Sequence, residues 1–261
     1  MKNITITLAI ALIAGLSFAA PQPGNKTKTH RRIVSTTPSP RKDGGYKWME
    51  RHEAIIKAHT TNPTIIFLGD SITHHMGGTP APTGPYNSHR GDKFWKTVCA
   101  AAGGPGLNMG FGSDWTQHLL WRLDHGEIDA ISPRYAVLTI GVNNVLRGVK
   151  REDDVVAGVH ACITRIRTKL PHTKLILMGI LPCRNPATNP QRLEVLAINK
   201  KLKKLAAKEK CTFLDISSKF IDNDGNIPKK LMDDAVHPTA AGYKIWSDAL
   251  IPLLKTDTPN S

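Results

Sequence analysis

The sequence predicts an α/β fold, a five-stranded parallel sheet covered by helices on both faces. Three observations carry this. Five short apolar runs, each bounded by turn residues, recur along the chain. Segments with helical apolar spacing separate them, as the crossovers between parallel strands require. The runs are continuously apolar rather than alternating, which is the pattern of strands buried on both faces.

In chain order the strands are predicted at Thr64–Leu68, Gly106–Met109, Tyr135–Ile140, Lys174–Leu181 and Thr212–Ile216. A first helix is expected over Tyr46–His59, where Trp48, Ile55, Ile56 and Ala58 recur at helical spacing. Further helices are expected at Lys93–Ala102, Asp114–Leu123, Asp153–Leu170 and Gln191–Lys210, with Thr239–Leu254 closing the fold. These elements place one domain over residues 46–256. At roughly 215 residues it is large enough to bury about 70% of the unfolded chain's surface without a staple.

Ahead of the domain, Lys2, the apolar stretch Ile4 to Leu16 and the small residues around Ser17-Phe18-Ala19 read as a signal peptide spanning residues 1–19, which implies a secreted or periplasmic protein. The alternative, an uncleaved membrane anchor, asks for a run of ~20 apolar residues, and this one is at or below that length. Without the signal no segment spans a membrane. Residues 20–45 are rich in Pro, Thr and basic residues and lack aliphatic clusters, so they are expected to form a disordered tether. Cys99, Cys162, Cys183 and Cys211 permit several disulfide pairings, but Cys183 follows one predicted strand and Cys211 opens another. In a parallel sheet those places lie at opposite ends of the layer, too far apart for disulfide geometry.

The formal charge of +14 raises the question of nucleic acid. Its placement argues against that partner. Lys26, Lys28, Arg31, Arg32, Arg41 and Lys42 against Asp43 put a net +5 in the tether. Lys200, Lys201, Lys203, Lys204, Lys208 and Lys210 share one predicted helix with the apolar stripe Leu202, Leu205 and Ala206, which is the pattern of a solvated face. No base-stacking platform accompanies them, so an anionic surface such as polysaccharide, mucin or outer lipid fits the basic balance better.

Open parallel sheets bind ligands outside the carboxyl ends of their strands. The polar, glycine-bearing groups gather there: Gly69-Asp70-Ser71 after the first strand, Gly110 to Asp114 after the second, and Gly141-Val142-Asn143-Asn144 after the third. Far downstream come Asp234 and His237. A serine hydroxyl becomes a nucleophile when an imidazole takes its proton, and a carboxylate holds that imidazole in the required tautomer. Ser71, His237 and Asp234 supply those three groups, the latter two spaced to share one turn at the start of the last helix. Asp233 or Asp234 would otherwise serve as an amino-terminal charge on that helix. An oxyanion hole is expected from the N–H groups of Ser71 and Ser113 and the amide of Asn143. A turn or cap is the competing reading of Asn143-Asn144. Asp70 and Trp115 are further candidates for substrate contact, Trp121 fits a buried helix face, and His74 and His75 read as rim or solvent histidines rather than metal ligands.

These blocks resemble the SGNH, or GDSL, hydrolase superfamily. Leu107 to Leu123, Gly141-Val142-Asn143-Asn144 and Gly179-Ile180-Leu181-Pro182 are similar to the catalytic subunits of platelet-activating-factor acetylhydrolase and their bacterial relatives. The resemblance runs from about Trp48 to Leu254 and implies a flavodoxin-like three-layer α/β/α sandwich of strand order 2-1-3-4-5. It also implies Ser71 as nucleophile, His237 as base, Asp234 as its orienter, Asn143 as oxyanion donor, and no metal or organic cofactor. One departure stands out, because the family's second-block glycine falls on Ser113. The N–H survives, but serine tolerates fewer backbone angles. The expectation is an exported serine esterase that hydrolyses short-chain acyl (acetyl) esters, on O-acetylated carbohydrate or another small-molecule ester. The alternatives are a lipid acylhydrolase or lysophospholipase, and a non-catalytic glycan-binding protein in which Ser113 has disabled the hole.

Overall fold

The computed structural model describes residues 34–41, 46–81, 84–86, 90–148 and 151–255. The expected signal peptide and the remaining tether residues lie outside them. The chain forms β1 (Ile65–Gly69), β2 (Gly106–Gly110), β3 (Tyr135–Thr139), β4 (Lys174–Met178) and β5 (Thr212–Leu214). They pair in parallel in the order β2-β1-β3-β4-β5. Around them lie α1 (Trp48–Lys57), α2 (Ser71–His74), α3 (Asp92–Ala102), α4 (Thr116–Asp124), α5 (Val142–Leu146), α6 (Glu152–Lys169), α7 (Pro190–Lys208) and α8 (Ala240–Lys255).

The layering follows from the hand of the crossovers. The step from β1 to β2 runs to one side and every later step to the other, so right-handed connections put α3 on the face opposite α4, α6 and α7. Accordingly α3 packs on α8, and α6 packs on α4 and α7. The interior strand β1 is enclosed by both layers, with Ile65, Ile66, Phe67 and Leu68 all at most 1% exposed. On α7, Leu202 and Ala206 are buried while Lys203, Lys204 and Lys208 are exposed, and Lys201 pairs with Glu152 and Asp153 at 2.7 and 2.8 Å. The four cysteines are free. Among the described residues no helix is long and apolar enough to cross a membrane.

Three expectations are corrected here. The apolar run from Lys174 stops being strand at Met178 rather than at Leu181. Gly179 N–H still donates to Leu214 C=O, but the Asn199 side chain then takes both the N–H and the C=O of Ile180 at 2.8 Å. The run continues buried with a side chain in place of a neighbouring strand, a change that hydrophobicity does not record. The fifth strand likewise ends at Leu214, because Asp215 turns the chain by accepting Ser217 N–H at 2.9 Å.

The third correction concerns residues 34–41, inside the stretch expected to be disordered. They dock on the domain: Val34–Thr36 forms a 3-10 turn against α4 and α6, and Ser35 is 1% exposed. Thr116 Oγ1 donates to Ser35 C=O at 2.9 Å, Asn144 Nδ2 reaches Ser35 Oγ at 3.3 Å, and Ser39 N–H donates to Gln117 C=O at 3.1 Å. The segment is ordered by polar pairing with an existing surface, so its poverty in aliphatic residues does not prevent it.

Candidate active site

The sheet register sets the site. Gly69 at the end of β1 is the direct partner of Gly110 on β2 and of Thr139 on β3, so the three polar loops leave the same edge at the same level. Ser71 is the first residue of α2, where backbone N–H groups have no intrahelical acceptor. Asp70 caps that helix by accepting Ile72 N–H at 3.0 Å. Ser71 Oγ lies 2.8 Å from His237 Nε2, and His237 Nδ1 lies 2.6 Å from Asp234 Oδ2. The structure thus aligns a hydroxyl, an imidazole and a carboxylate drawn from opposite ends of the chain.

The turn bearing the last two groups differs from the expected helical one. Asp234 and His237 precede α8 in a non-helical loop, in which Asp234 Oδ1 accepts the N–H groups of Val236 and His237 at 2.9 and 2.7 Å. Pro238 pairs with Met232 in an isolated bridge rather than opening the helix. Asp234 is therefore a local loop organiser, and Asp233 is spent on Arg90 at 2.7 Å. Burial pushes the Asp234 carboxyl up, but the hydrogen bonds from the His237 ring and backbone outweigh it and hold the group below the usual carboxylate range. Tyr243 on α8 ties this end to the nucleophile by donating to Ile72 C=O at 2.5 Å.

The loop after β2 is a tight turn closed by Asp114 N–H to Phe111 C=O at 3.2 Å. Its third residue, Ser113, has φ +59, the left-handed region that turns of this class reserve for glycine. The turn is tied from every side. Phe111 N–H donates to Gly69 C=O at 3.1 Å, and Gly112 N–H to His74 Nδ1 at 3.1 Å. Asn143 Nδ2 donates to Asp114 C=O at 3.0 Å, and the Ser113 hydroxyl pairs with Tyr86 Oη at 3.0 Å. Among the described residues, the Ser113 N–H forms no hydrogen bond. Asn143 retains a second amide hydrogen and is 7% exposed, so the cap reading accounts for only half of its donors. Asn144 is the cap-like member: its Oδ1 accepts Thr116 N–H at 3.1 Å.

His74 and His75 are corrected from rim or solvent residues to buried ones, 0% and 5% exposed. Burial, aided by Arg51 and His75, pushes His74 down to about 2, so its ring is the neutral acceptor that holds Gly112. His75 meets the His237 ring edge-on at 5.2 Å, and burial with that facing imidazole lowers it to about 4, so it brings no charge beside His237. Asp70, expected to meet substrate, is 1% exposed, and its Oδ2 is buried without a hydrogen-bond partner among the described residues. Burial raises its carboxyl to about 7. Trp115 is half-buried beside the turn, with its N–H given to His118 Nδ1 at 3.0 Å. Trp121 is half-buried rather than buried, stacked on His125 at 3.8 Å.

Sequence reasoning missed the buried polar bed beneath these loops. Arg122, fully buried, donates to Asp114 Oδ2 at 3.0 Å, to Gly69 C=O at 3.2 Å and to Glu127, and lies over the Phe111 ring at 3.9 Å. Arg51 donates to Gly110 C=O at 2.8 Å and Asn108 Nδ2 to Thr73 C=O at 3.0 Å. Asp114 accepts from Trp48 Nε1 at 2.8 Å, and burial, opposed by Arg122, lifts its carboxyl to about 6. Together they satisfy the last carbonyls of β1 and β2 and lock the strand ends that carry Ser71 and Ser113. The only sequence signal was the presence of charged residues inside otherwise apolar helical faces. Among the described residues no cluster of three or more His, Cys, Asp or Glu side chains forms a cation site.

A model of the GDSL-like lipase/acylhydrolase family matches residues 67–245. The alpha2 subunit of platelet-activating factor acetylhydrolase IB from Rattus norvegicus is 31% identical over 202 residues, covering 77% of this chain and 80% of that protein. The human alpha1 subunit is 30% identical over 224 residues, covering 84% and 89%. Among solved structures, a GDSL-like lipase of Bacteroides thetaiotaomicron superposes with a TM-score of 0.62 at 19% identity, over 80% of this chain and 98% of that one. An acetylxylan esterase of Geobacillus stearothermophilus gives 0.59 at 20% identity, over 74% and 96%.

Proposed function

The chain belongs to the GDSL-like lipase/acylhydrolase family, a family of ester hydrolases, and from that premise we propose that it is an exported serine esterase removing short acyl groups, chiefly acetyl, from O-acetylated carbohydrate. The observation that carries the reading is the hydrogen-bonded line from Ser71 Oγ through His237 to Asp234, at 2.8 and 2.6 Å. In the reaction Ser71 Oγ attacks the ester carbonyl while His237 Nε2 takes its proton. Asp234 accepts the Nδ1 proton and stabilises the imidazolium. Negative charge growing on the carbonyl oxygen meets the Ser71 N–H, the Ser113 N–H and the Asn143 amide, each such donor being worth ~3 to 4 kcal/mol in other enzymes. The alcohol leaves with the proton held by His237, and a water activated by the same imidazole releases the acid from the acyl enzyme.

The acetyl preference draws support from the relatives at 31% and 30% identity, which are named acetylhydrolases. The carbohydrate preference draws on the export-type leader and the +14 charge, which suit an anionic extracellular surface. A lipid acyl ester is the second reading, favoured by the substrate named in those same relatives. The test is a panel of acetylated sugars, short- and medium-chain aryl esters and phospholipids, assayed with wild type and Ser71→Ala. Acetyl esters of sugars should be cleaved fastest, and Ser71→Ala should lose activity by about 10⁴-fold or more. Rates that climb from acetyl to octanoyl would turn the assignment to lipid.

A further inference from the structure

The segment ahead of the domain does more than tether it. Arg41 Nη1 lies 2.6 Å from Ser113 C=O and 3.3 Å from Gly112 C=O, and Tyr46 Oη adds a second donor to Gly112 C=O at 3.4 Å. In a trans peptide the C=O and the following N–H point in opposite directions. The Gly112 carbonyl and the Ser113 N–H belong to one peptide unit. Pulling that carbonyl toward Arg41 and Tyr46 therefore swings the Ser113 N–H the other way, toward the open end of the turn. This matters because serine, unlike glycine, is not at ease at φ +59 and gains nothing intrinsic from staying there. The remaining amides of the turn are engaged by Gly69, His74 and Phe111, so the guanidinium completes the set of ties.

We propose that Arg41 is a positioning residue: its grip on the Gly112 and Ser113 carbonyls aims the Ser113 N–H at the developing oxyanion, making the amino-terminal segment part of the active site. The proposal rests on the esterase reading above. Arg41 touches no reacting atom, and it acts only through the peptide it orients. A lysine keeps the charge but loses the planar fork that reaches both carbonyls.

The experiment uses the full-length chain. Wild type, Arg41→Ala, Arg41→Lys and Ser71→Ala are assayed on 4-nitrophenyl acetate, titrated with phenylboronic acid, which forms a tetrahedral adduct on a reactive serine, and melted thermally. Arg41→Ala should lower kcat by about 10- to 100-fold with KM little changed, less than the ~10²–10³ lost with a whole oxyanion donor. Boronate affinity should fall by the same factor, since the adduct uses the same donor. Arg41→Lys should fall between. A folded Arg41→Ala with wild-type kcat, or one that loses kcat yet binds boronate as tightly as wild type, overturns the proposal. If Arg41→Ala does not fold, Arg41→Lys decides alone by the same two readouts. An inactive wild type, or an active Ser71→Ala, overturns the esterase reading itself. Wild-type kcat in Arg41→Ala beside a dead Ser71→Ala overturns only the role given to Arg41.

Discussion

The two turns that meet at Ser71 are built on opposite plans. The Phe111–Asp114 turn and the Met232–Pro238 turn each carry a non-glycine residue in the left-handed region, Ser113 at φ +59 and Ala235 at φ +57. The first is tied by side chains and backbone from β1, α2, α5 and the amino-terminal segment, and it rests on the fully buried Arg122 and Asp114. The second is held mostly by itself: Asp234 accepts two N–H groups of its own loop, and Arg184 N–H takes the Ala235 carbonyl at 2.9 Å. Its working side chains are partly open, with Asp234 49% and His237 23% exposed. The difference suits the role proposed for each. A donor to a transient oxyanion contributes only when fixed beforehand, whereas a proton carrier must reach water as well as serine.

The largest effect is expected from crowding the rigid half. A Cβ at Gly110 would overlap the backbone of Thr73 and His74, which cannot yield without moving α2 and Ser71. Gly110→Ala should abolish measurable esterase activity and lower the melting temperature by about 2–12 °C, from an overpacking cost of ~1–3 kcal/mol at ~2–4 °C per kcal/mol. Wild-type melting and activity would mean that this half is not rigid. Disturbing the open half should separate the two readouts. Asp234→Asn keeps an acceptor for its loop but misorients the imidazole, so kcat should fall by about 10² to 10⁴ while melting changes by no more than about 2 °C. A kcat loss under tenfold would remove Asp234 from the role of orienter.

The smallest effect concerns Asp70, at the buried edge of the rigid half. Its carboxyl is raised to about 7, above the ~3.9 of an unfolded aspartate, so the folded chain holds that proton more tightly than the unfolded one. Stability is then full on the acid side and is lost as the pH rises from about 4 through about 7. Asp70→Asn retains the cap and does not titrate. Its melting temperature should exceed that of wild type by a few degrees more at pH 8 than at pH 5, and an equal gap at both values would show that Asp70 is not the source.

Much of this was legible in the chain. Thr64 to Leu68 reads as a doubly buried strand because nothing polar interrupts it; Asp70, Ser71, Ser113 and Asn143 stand out as polar groups just beyond strand ends, and Asp234 and His237 as a carboxylate and an imidazole three positions apart. The misread histidines and the missed arginines share one cause. His74, His75, Arg51 and Arg122 look like surface chemistry by type, yet they are buried because distant carbonyls, rings and carboxylates satisfy them. Residues 34–41 look unstructured by composition, yet they find hydrogen-bond partners on α4 and α5.

Apolar periodicity and motif chemistry are local properties, so the chain alone marks where the strands lie, the crossover pattern and the candidates for the reactive groups. Which histidines are buried, where the carboxylate turn docks and that Arg41 returns to the turn bearing Ser113 are set by long-range contacts. Those depend on pairings between residues far apart in the chain, 171 positions for Tyr243 and Ile72, and no local pattern encodes which buried donor meets which acceptor.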